Sequence, residues 1–248
     1  MADIKRRAFT KACPLAIEGE CCNEIINGEC PRNYCFRQDE YFWLLESSNL
    51  PESLKHDIPL KPDLAAGDLE TFRKIDYIRY NIDEFVEGGF NLYLSGASGT
   101  GKTTWAGKII RQYMMYIAYG NGYEVRCIYL DVPKYIRQFR TSFTEQGYAF
   151  KELRKQIINV PLVIWDSVNS IESIVGAAGE ELSAIANTRL TNKYSNIIIS
   201  QERKENLSFG LPRGLRALLD SSEELYIRSL QNKRVTSFFD KNKIGGEN

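Results

Sequence analysis

The chain lacks any apolar run near the ~20 residues that span a bilayer. Its N-terminus, Met1-Ala2-Asp3-Ile4-Lys5-Arg6-Arg7, is charged and no apolar stretch follows it, so no secretory signal is read. Excess charge is also missing: 32 Lys+Arg balance 32 Asp+Glu. Proteins that grip duplex DNA through its phosphates usually carry a basic excess, so any nucleic-acid contact is expected to be local, weak, or made by an assembly. Internal repeats and low-complexity tracts are absent, and the single histidine, His56, falls among breaker residues and reads as surface. These absences leave the cytoplasm as the expected compartment. The 43% hydrophobic and 26% charged content is that of a soluble globular protein, and 248 residues suffice for one α/β domain with a small appendage.

The most specific feature present is Gly96-Ala97-Ser98-Gly99-Thr100-Gly101-Lys102-Thr103, a G-x-x-x-x-G-K-T phosphate-cradling loop. An apolar strand pattern, Phe90 to Leu94, precedes it, and a helical pattern from Thr103 to Tyr119 follows, with Trp105, Ile109, Ile110, Tyr113 and Ile117 apolar. That order aims backbone N–H groups and a helix N-terminus at a triphosphate. Residues Gly96, Ala97, Ser98, Gly99, Thr100, Gly101, Lys102, Thr103 and Thr104 form the expected ATP cradle. Lys102 would reach the β- and γ-phosphates and Thr103 would ligate Mg²⁺. Pro161-Leu162-Val163-Ile164-Trp165-Asp166 reads as a buried strand ending in an acid, and Asp166 would hold Mg²⁺ through water opposite Thr103.

Strand and helix patterns alternate on either side of this loop. Helices are expected over Asp68 to Val86, Val132 to Phe143 and Gly179 to Tyr194, with helical material from Leu215 to Leu230. Further strands are expected over Glu124 to Leu130, Asn196 to Ser200 and Val235 to Phe239. Five buried strands separated by helices give an α/β fold with a five-stranded parallel sheet covered on both faces. The expected organisation is a Cys-rich module over 1–45, a linker over 46–62 and a nucleotide-binding domain over 63–248.

The sequence of motifs carries a family resemblance. It runs from the P-loop through a strand and basic helix to Leu-Val-Ile-Trp-Asp at 162–166. It continues with Asn187-Thr188-Arg189-Leu190-Thr191-Asn192-Lys193-Tyr194, leading into Ile197-Ile198-Ile199-Ser200-Gln201. This resembles the AAA+ ATPases of the DnaC/DnaI helicase-loader and IstB transposition-helper group, over roughly Leu50 to Phe239. The resemblance implies a P-loop AAA+ domain that binds ATP and Mg²⁺ and loads a hexameric replicative helicase onto single-stranded DNA during replication. The alternatives are an IstB-like transposition helper and a nucleotide-sensing adaptor that does not hydrolyse ATP. Gln201 occupies the place of the sensor amide that contacts the γ-phosphate or attacking water, and Arg228 matches the arginine that reaches a neighbouring subunit's nucleotide. Arg189 is given a similar interfacial part. Lys134, Arg137 and Arg140, three apart on one helix, would face single-stranded DNA, while Tyr135 and Phe139 either stack on bases or pack inward.

Two departures qualify the resemblance. The second acid that usually follows the Walker-B Asp is here Ser167, whose hydroxyl cannot act as a base near neutral pH. Glu172 could substitute only from a spacing that is not the family's. ATP binding with slow hydrolysis is therefore expected. With a short tail after Phe239, no C-terminal helical lid is expected, which the resemblance implies for the loaders as well.

Cys13, Cys21, Cys22, Cys30 and Cys35 follow the spacing C-x7-C-C-x7-C-x4-C. In a reducing compartment such density reads as a metal site, with Zn²⁺ on Cys13, Cys22, Cys30 and Cys35 as the assignment. Either Cys21 or Cys22 is the spare, and an Fe–S cluster would also take four cysteines. Residues 1–60 carry seven Lys/Arg and ten Asp/Glu, so this module suits docking onto a protein partner better than gripping phosphates. Cys127 is expected in the core.

Overall fold

In the computed structural model, the structure describes residues 35–118, 122–142, 147–168, 176–207 and 211–228. The elements in chain order are α1 (Phe36–Ser47), a 3₁₀ turn (Glu52–Leu54), α2 (Leu69–Tyr80), α3 (Ile82–Glu87), β1 (Asn91–Gly96) and α4 (Lys102–Ile117). They continue with β2 (Cys127–Asp131), α5 (Val132–Ser142), α6 (Tyr148–Asn159), β3 (Leu162–Asp166), α7 (Ala177–Thr191) and β4 (Ser195–Ile199). The last are α8 (Lys204–Leu207), α9 (Arg213–Asp220) and β5 (Glu223–Ile227). The five strands form one sheet in the order β2-β3-β4-β1-β5, every pair parallel.

Alternation along each central strand explains the layering, because successive side chains point to opposite faces. Leu92, Leu94, Leu162, Ile164, Ile197 and Ile199 pack with Trp105, Ile109 and Ile110 of α4 and with Phe72, Ile75 and Ile82 of α2 and α3. Tyr93, Val163, Trp165 and Ile198 pack on the other face with Tyr135, Ile157, Leu182, Ile185 and Leu218 from α5, α6, α7 and α9. Both faces are dry, which is why these strands read as unbroken apolar runs.

The expected helix over Asp68 to Val86 is two helices, broken at Asn81 (φ −113°, ψ 39°). The fifth strand is Glu223–Ile227 and lies inside the stretch read as helical material; Val235 to Phe239 lies outside the described residues. The reason is visible in the burial: β5 is an edge strand, paired only with β1, with Glu223 exposed and Glu224 and Tyr226 half-buried, whereas Leu92 to Gly96 of β1 are all buried. Helix α6 is a further element that is not among the expected ones, although Phe150, Leu153 and Ile157 hold helical spacing and pack inward.

Residues read as module and linker enter the same core. Tyr41, Leu44 and Leu45 of α1, together with Leu50 and Leu54, are buried in the cluster around α4. Arg111 on α4 fastens this segment by donating to Leu54 O (2.6 Å), His56 O (2.8 Å) and Asp57 Oδ1 (2.7 Å). Among the described residues, no helix is long and apolar enough to cross a membrane.

A candidate nucleotide-binding site

Strands β1 and β4 are adjacent, and the chain leaves β1 for β2 at one edge of the sheet and β4 for β5 at the other, so their carboxyl ends form a switch point, the place where open parallel sheets bind ligands. The P-loop leaves β1 there. Gly96 (φ +147°) must be glycine because a Cβ would stand 2.5 Å from Ile227 O of β5. Gly101 (φ +99°) caps α4 in a left-handed conformation and packs against Leu60. The loop thus turns directly into the N-terminus of α4, whose first N–H groups have no helical acceptor.

A cavity of about 460 Å³ opens at this end, lined by Ser98, Gly99, Gly101, Lys102, Thr103 and Thr104. Asp166, Ser167, Ser200 and Gln201 line it from the ends of β3 and β4. The volume and the convergent polar groups suit a nucleotide-sized ligand. Residues 58–63 line a further wall, with Ile58, Pro59, Leu60 and Pro62 giving it an apolar character.

Lys102 is 6% exposed and its ammonium donates to Gly96 O (2.6 Å) and Ala97 O (2.7 Å), so the loop's own carbonyls hold the charge at the cavity. Thr103 Oγ1 donates to Asp166 Oδ2 at 3.2 Å, which joins the two expected Mg²⁺ residues. Asp166 Oδ2 also accepts the Tyr129 hydroxyl, and Oδ1 accepts the Ser167 N–H at 2.7 Å. Burial pushes the Asp166 carboxyl above its ordinary range, against the pull of these hydrogen bonds. The hard oxygen donors of Thr103 and Asp166 fit a Mg²⁺ ion that keeps several waters.

Gln201 borders the same cavity. The turn that presents it is fixed by buried Ser200, whose Oγ donates to Val168 O at 2.8 Å and whose N–H donates to Leu94 O at 3.0 Å. Ser167 directly follows Asp166, at the position of the resemblance's second acid. Its φ is +64°, an uncommon conformation for a residue other than glycine, and it offers the cavity a hydroxyl.

The sequence-predicted arginines separate. Arg189 is fully buried on α7 and its guanidinium donates to Ile157 O (2.7 Å), Val160 O (2.8 Å), Ser195 O (2.7 Å) and Asn196 Oδ1 (2.6 Å). It therefore closes the C-terminal end of α6 from inside the domain and has no surface to offer a neighbour, which corrects the interfacial expectation. Arg228 follows β5, one residue beyond the register partner of Gly96; its N–H donates to buried Asp68 (2.7 Å) and its side chain is exposed. Lys134, Arg137 and Arg140 are exposed on α5, whereas Tyr135 is buried and bonded to Glu181 and Phe139 packs inward.

Cys13, Cys21, Cys22 and Cys30, and also Glu172, lie outside the described residues. Cys35 is half-buried at the start of α1, and among the described residues no group of three or more His, Cys, Asp or Glu is placed to hold a metal. Cys127 is buried, as expected. Tyr129 was missed by the sequence reading; its only sequence signal is a position two residues before the acidic end of β2, and its meaning depends on the register that pairs Asp131 with Asp166.

No family model and no curated protein matches the sequence. Solved structures do match the fold. A crystal structure of DnaI superposes with a TM-score of 0.54 at 19% identity, covering 75% of this chain and 95% of that one. The DnaC helicase loader gives 0.51 at 19% identity, covering 73% and 97%. The replication initiator DnaA bound to AMPPCP and single-stranded DNA gives 0.52 at 16% identity, and the match spans 75% of this chain but about half (52%) of that one. Together with the P-loop and the five-stranded parallel sheet, these likenesses give the chain a DnaC/DnaI-like AAA+ fold.

Proposed function

We propose that this protein binds ATP with Mg²⁺ and uses the bound nucleotide to load a hexameric replicative DNA helicase onto single-stranded DNA. The observation that carries the reading is the convergence of the P-loop, the Thr103–Asp166 pair and Gln201 on one cavity. The extent of the fold match favours a loader over an initiator, since nearly all of the DnaI and DnaC structures are covered but only 52% of the DnaA structure.

In this reading Lys102 leaves its loop carbonyls for the β- and γ-phosphates, Thr103 and Asp166 hold Mg²⁺, and Gln201 contacts the γ-phosphate or attacking water. Magnesium supplies charge neutralisation on the phosphates. Arg228 extends from the P-loop edge of the sheet toward a neighbouring subunit's nucleotide. The exposed row Lys134, Arg137 and Arg140 tracks the DNA backbone. The cysteines Cys13, Cys22, Cys30 and Cys35 hold Zn²⁺ in a module that docks on the partner, which metal analysis of the full-length chain checks at one zinc per chain. With Ser167 in place of a carboxylate, ATP acts chiefly as an assembly signal and turnover is slow.

The test is co-purification of the full-length protein with its host's replicative helicase, with and without ATP. ATP-dependent capture of the helicase, lost in Lys102→Ala, is expected. Capture of a transposase and no helicase would transfer the chain to the transposition-helper reading.

A further inference from the structure

We propose that Tyr129 is a positioning residue for the metal-holding carboxylate of Asp166. The proposal rests on the Mg²⁺–ATP reading of the cavity.

Three donors fall on the two oxygens of Asp166. Thr103 Oγ1 and the Tyr129 hydroxyl share Oδ2, and the Ser167 N–H takes Oδ1. The carboxylate plane is thereby set by groups on three separate segments before a cation arrives. Thr103 spends its proton on Asp166, which turns its lone pairs outward to a metal. Tyr129 is itself held in place. Its ring belongs to the same buried core cluster as Leu162, Ile164 and Ile199, its Cα pairs with Ile164, and its N–H donates to Ser48 O at 2.8 Å. Phenylalanine would keep the ring and remove only the hydroxyl, and the hydroxyl's bond is to Asp166. The arrangement also links the end of α1 to the nucleotide site through one residue of edge strand β2.

A donor that orients a metal-binding side chain from behind typically changes metal affinity roughly 10- to 100-fold when removed. The experiment uses full-length wild type and Tyr129→Phe with a fluorescent ATP analogue, titrated with MgCl₂ and separately in EDTA. In Tyr129→Phe the Mg²⁺ concentration for half-maximal tightening rises about 10-fold, while the affinity in EDTA stays within about twofold of wild type. A wild type without Mg²⁺-dependent tightening removes the nucleotide reading itself. Wild-type tightening with an unshifted Tyr129→Phe overturns the positioning role alone, and so does a Tyr129→Phe protein that loses binding in EDTA as well. Should the variant fail to fold, 3-fluorotyrosine at position 129 keeps ring and hydroxyl. Its ¹⁹F resonance is expected to move when Mg²⁺ joins the bound nucleotide, and a resonance blind to Mg²⁺ overturns the proposal.

Discussion

Replacing Arg189 by methionine removes the most heavily bonded buried charge described here, and the structure fixes what is left behind. Ile157 O and Val160 O lie at the end of α6, where Pro161 offers no N–H to continue the helical ladder. Ser195 O loses a 2.7 Å bond, while Asn196 Oδ1 keeps the Trp165 indole N–H at 3.0 Å and Pro161 O keeps the Ser195 N–H at 2.9 Å. Two or three orphaned buried carbonyls at roughly 1–3 kcal/mol each, offset in part by relief of the buried guanidinium, give a net loss of about 3–5 kcal/mol. That is a large share of the ~5–15 kcal/mol of a typical domain. With a urea dependence of about 2 kcal/mol/M, the unfolding midpoint falls by roughly 2 M. Urea titration followed by tryptophan fluorescence reads it directly. Arg189→Lys, with three donors in place of five, is expected to lose roughly half as much. If Arg189→Met lies within about 1 kcal/mol of wild type but no longer self-associates with ATP, the buried-cap reasoning is wrong and the interfacial role returns.

Other outcomes follow from single contacts. Gly214→Ala places a Cβ 2.1 Å from Ser183 O and forces α9 off α7, lowering stability by roughly 1–3 kcal/mol in the same titration. Burial holds the Asp166 pKa above its ordinary value, so the ionised carboxylate is penalised in the folded state. The penalty is absent below the ordinary carboxyl pKa, grows as pH rises to the folded value and is full above it. Asp166→Asn should therefore raise the melting temperature in EDTA at pH 7, with the gain vanishing in acid, while Mg²⁺-dependent nucleotide binding is lost. Neutralising Lys134, Arg137 and Arg140 together should weaken single-stranded DNA binding and reduce its log–log salt slope by roughly 2, read by fluorescence anisotropy.

The strand–loop–helix unit was legible because the P-loop is a local device: a strand, a turn that needs glycine and a helix N-terminus all fall within consecutive residues. Asp166 was legible for a related reason, as an acid closing a run buried on both faces. Strand β5 was not, since an edge strand with one wetted face loses the continuous apolar run and keeps Glu223 and Glu224 in its pattern. Asn81 ends one helix and starts the next with neither glycine nor proline to mark the break. Arg189 misled because an arginine on a helix entering a strand looks the same in sequence whether its guanidinium meets a neighbour or the end of a helix 30 residues upstream.

Composition, periodicity and motif by themselves determined a doubly covered α/β sheet with a P-loop at a strand's carboxyl end, because those signals are written in nearest-neighbour order. Strand order and register were decided only in three dimensions. They put β1 between β4 and β5, set Asp131 beside Asp166, carried the Tyr129 hydroxyl onto the Asp166 carboxylate, and closed α6 with Arg189. Each is a contact between segments far apart in the chain, and no residue spacing records it. Lys102 and Thr103 were named by their motif, but the bond that the Tyr129 hydroxyl donates to Asp166 is written in no motif.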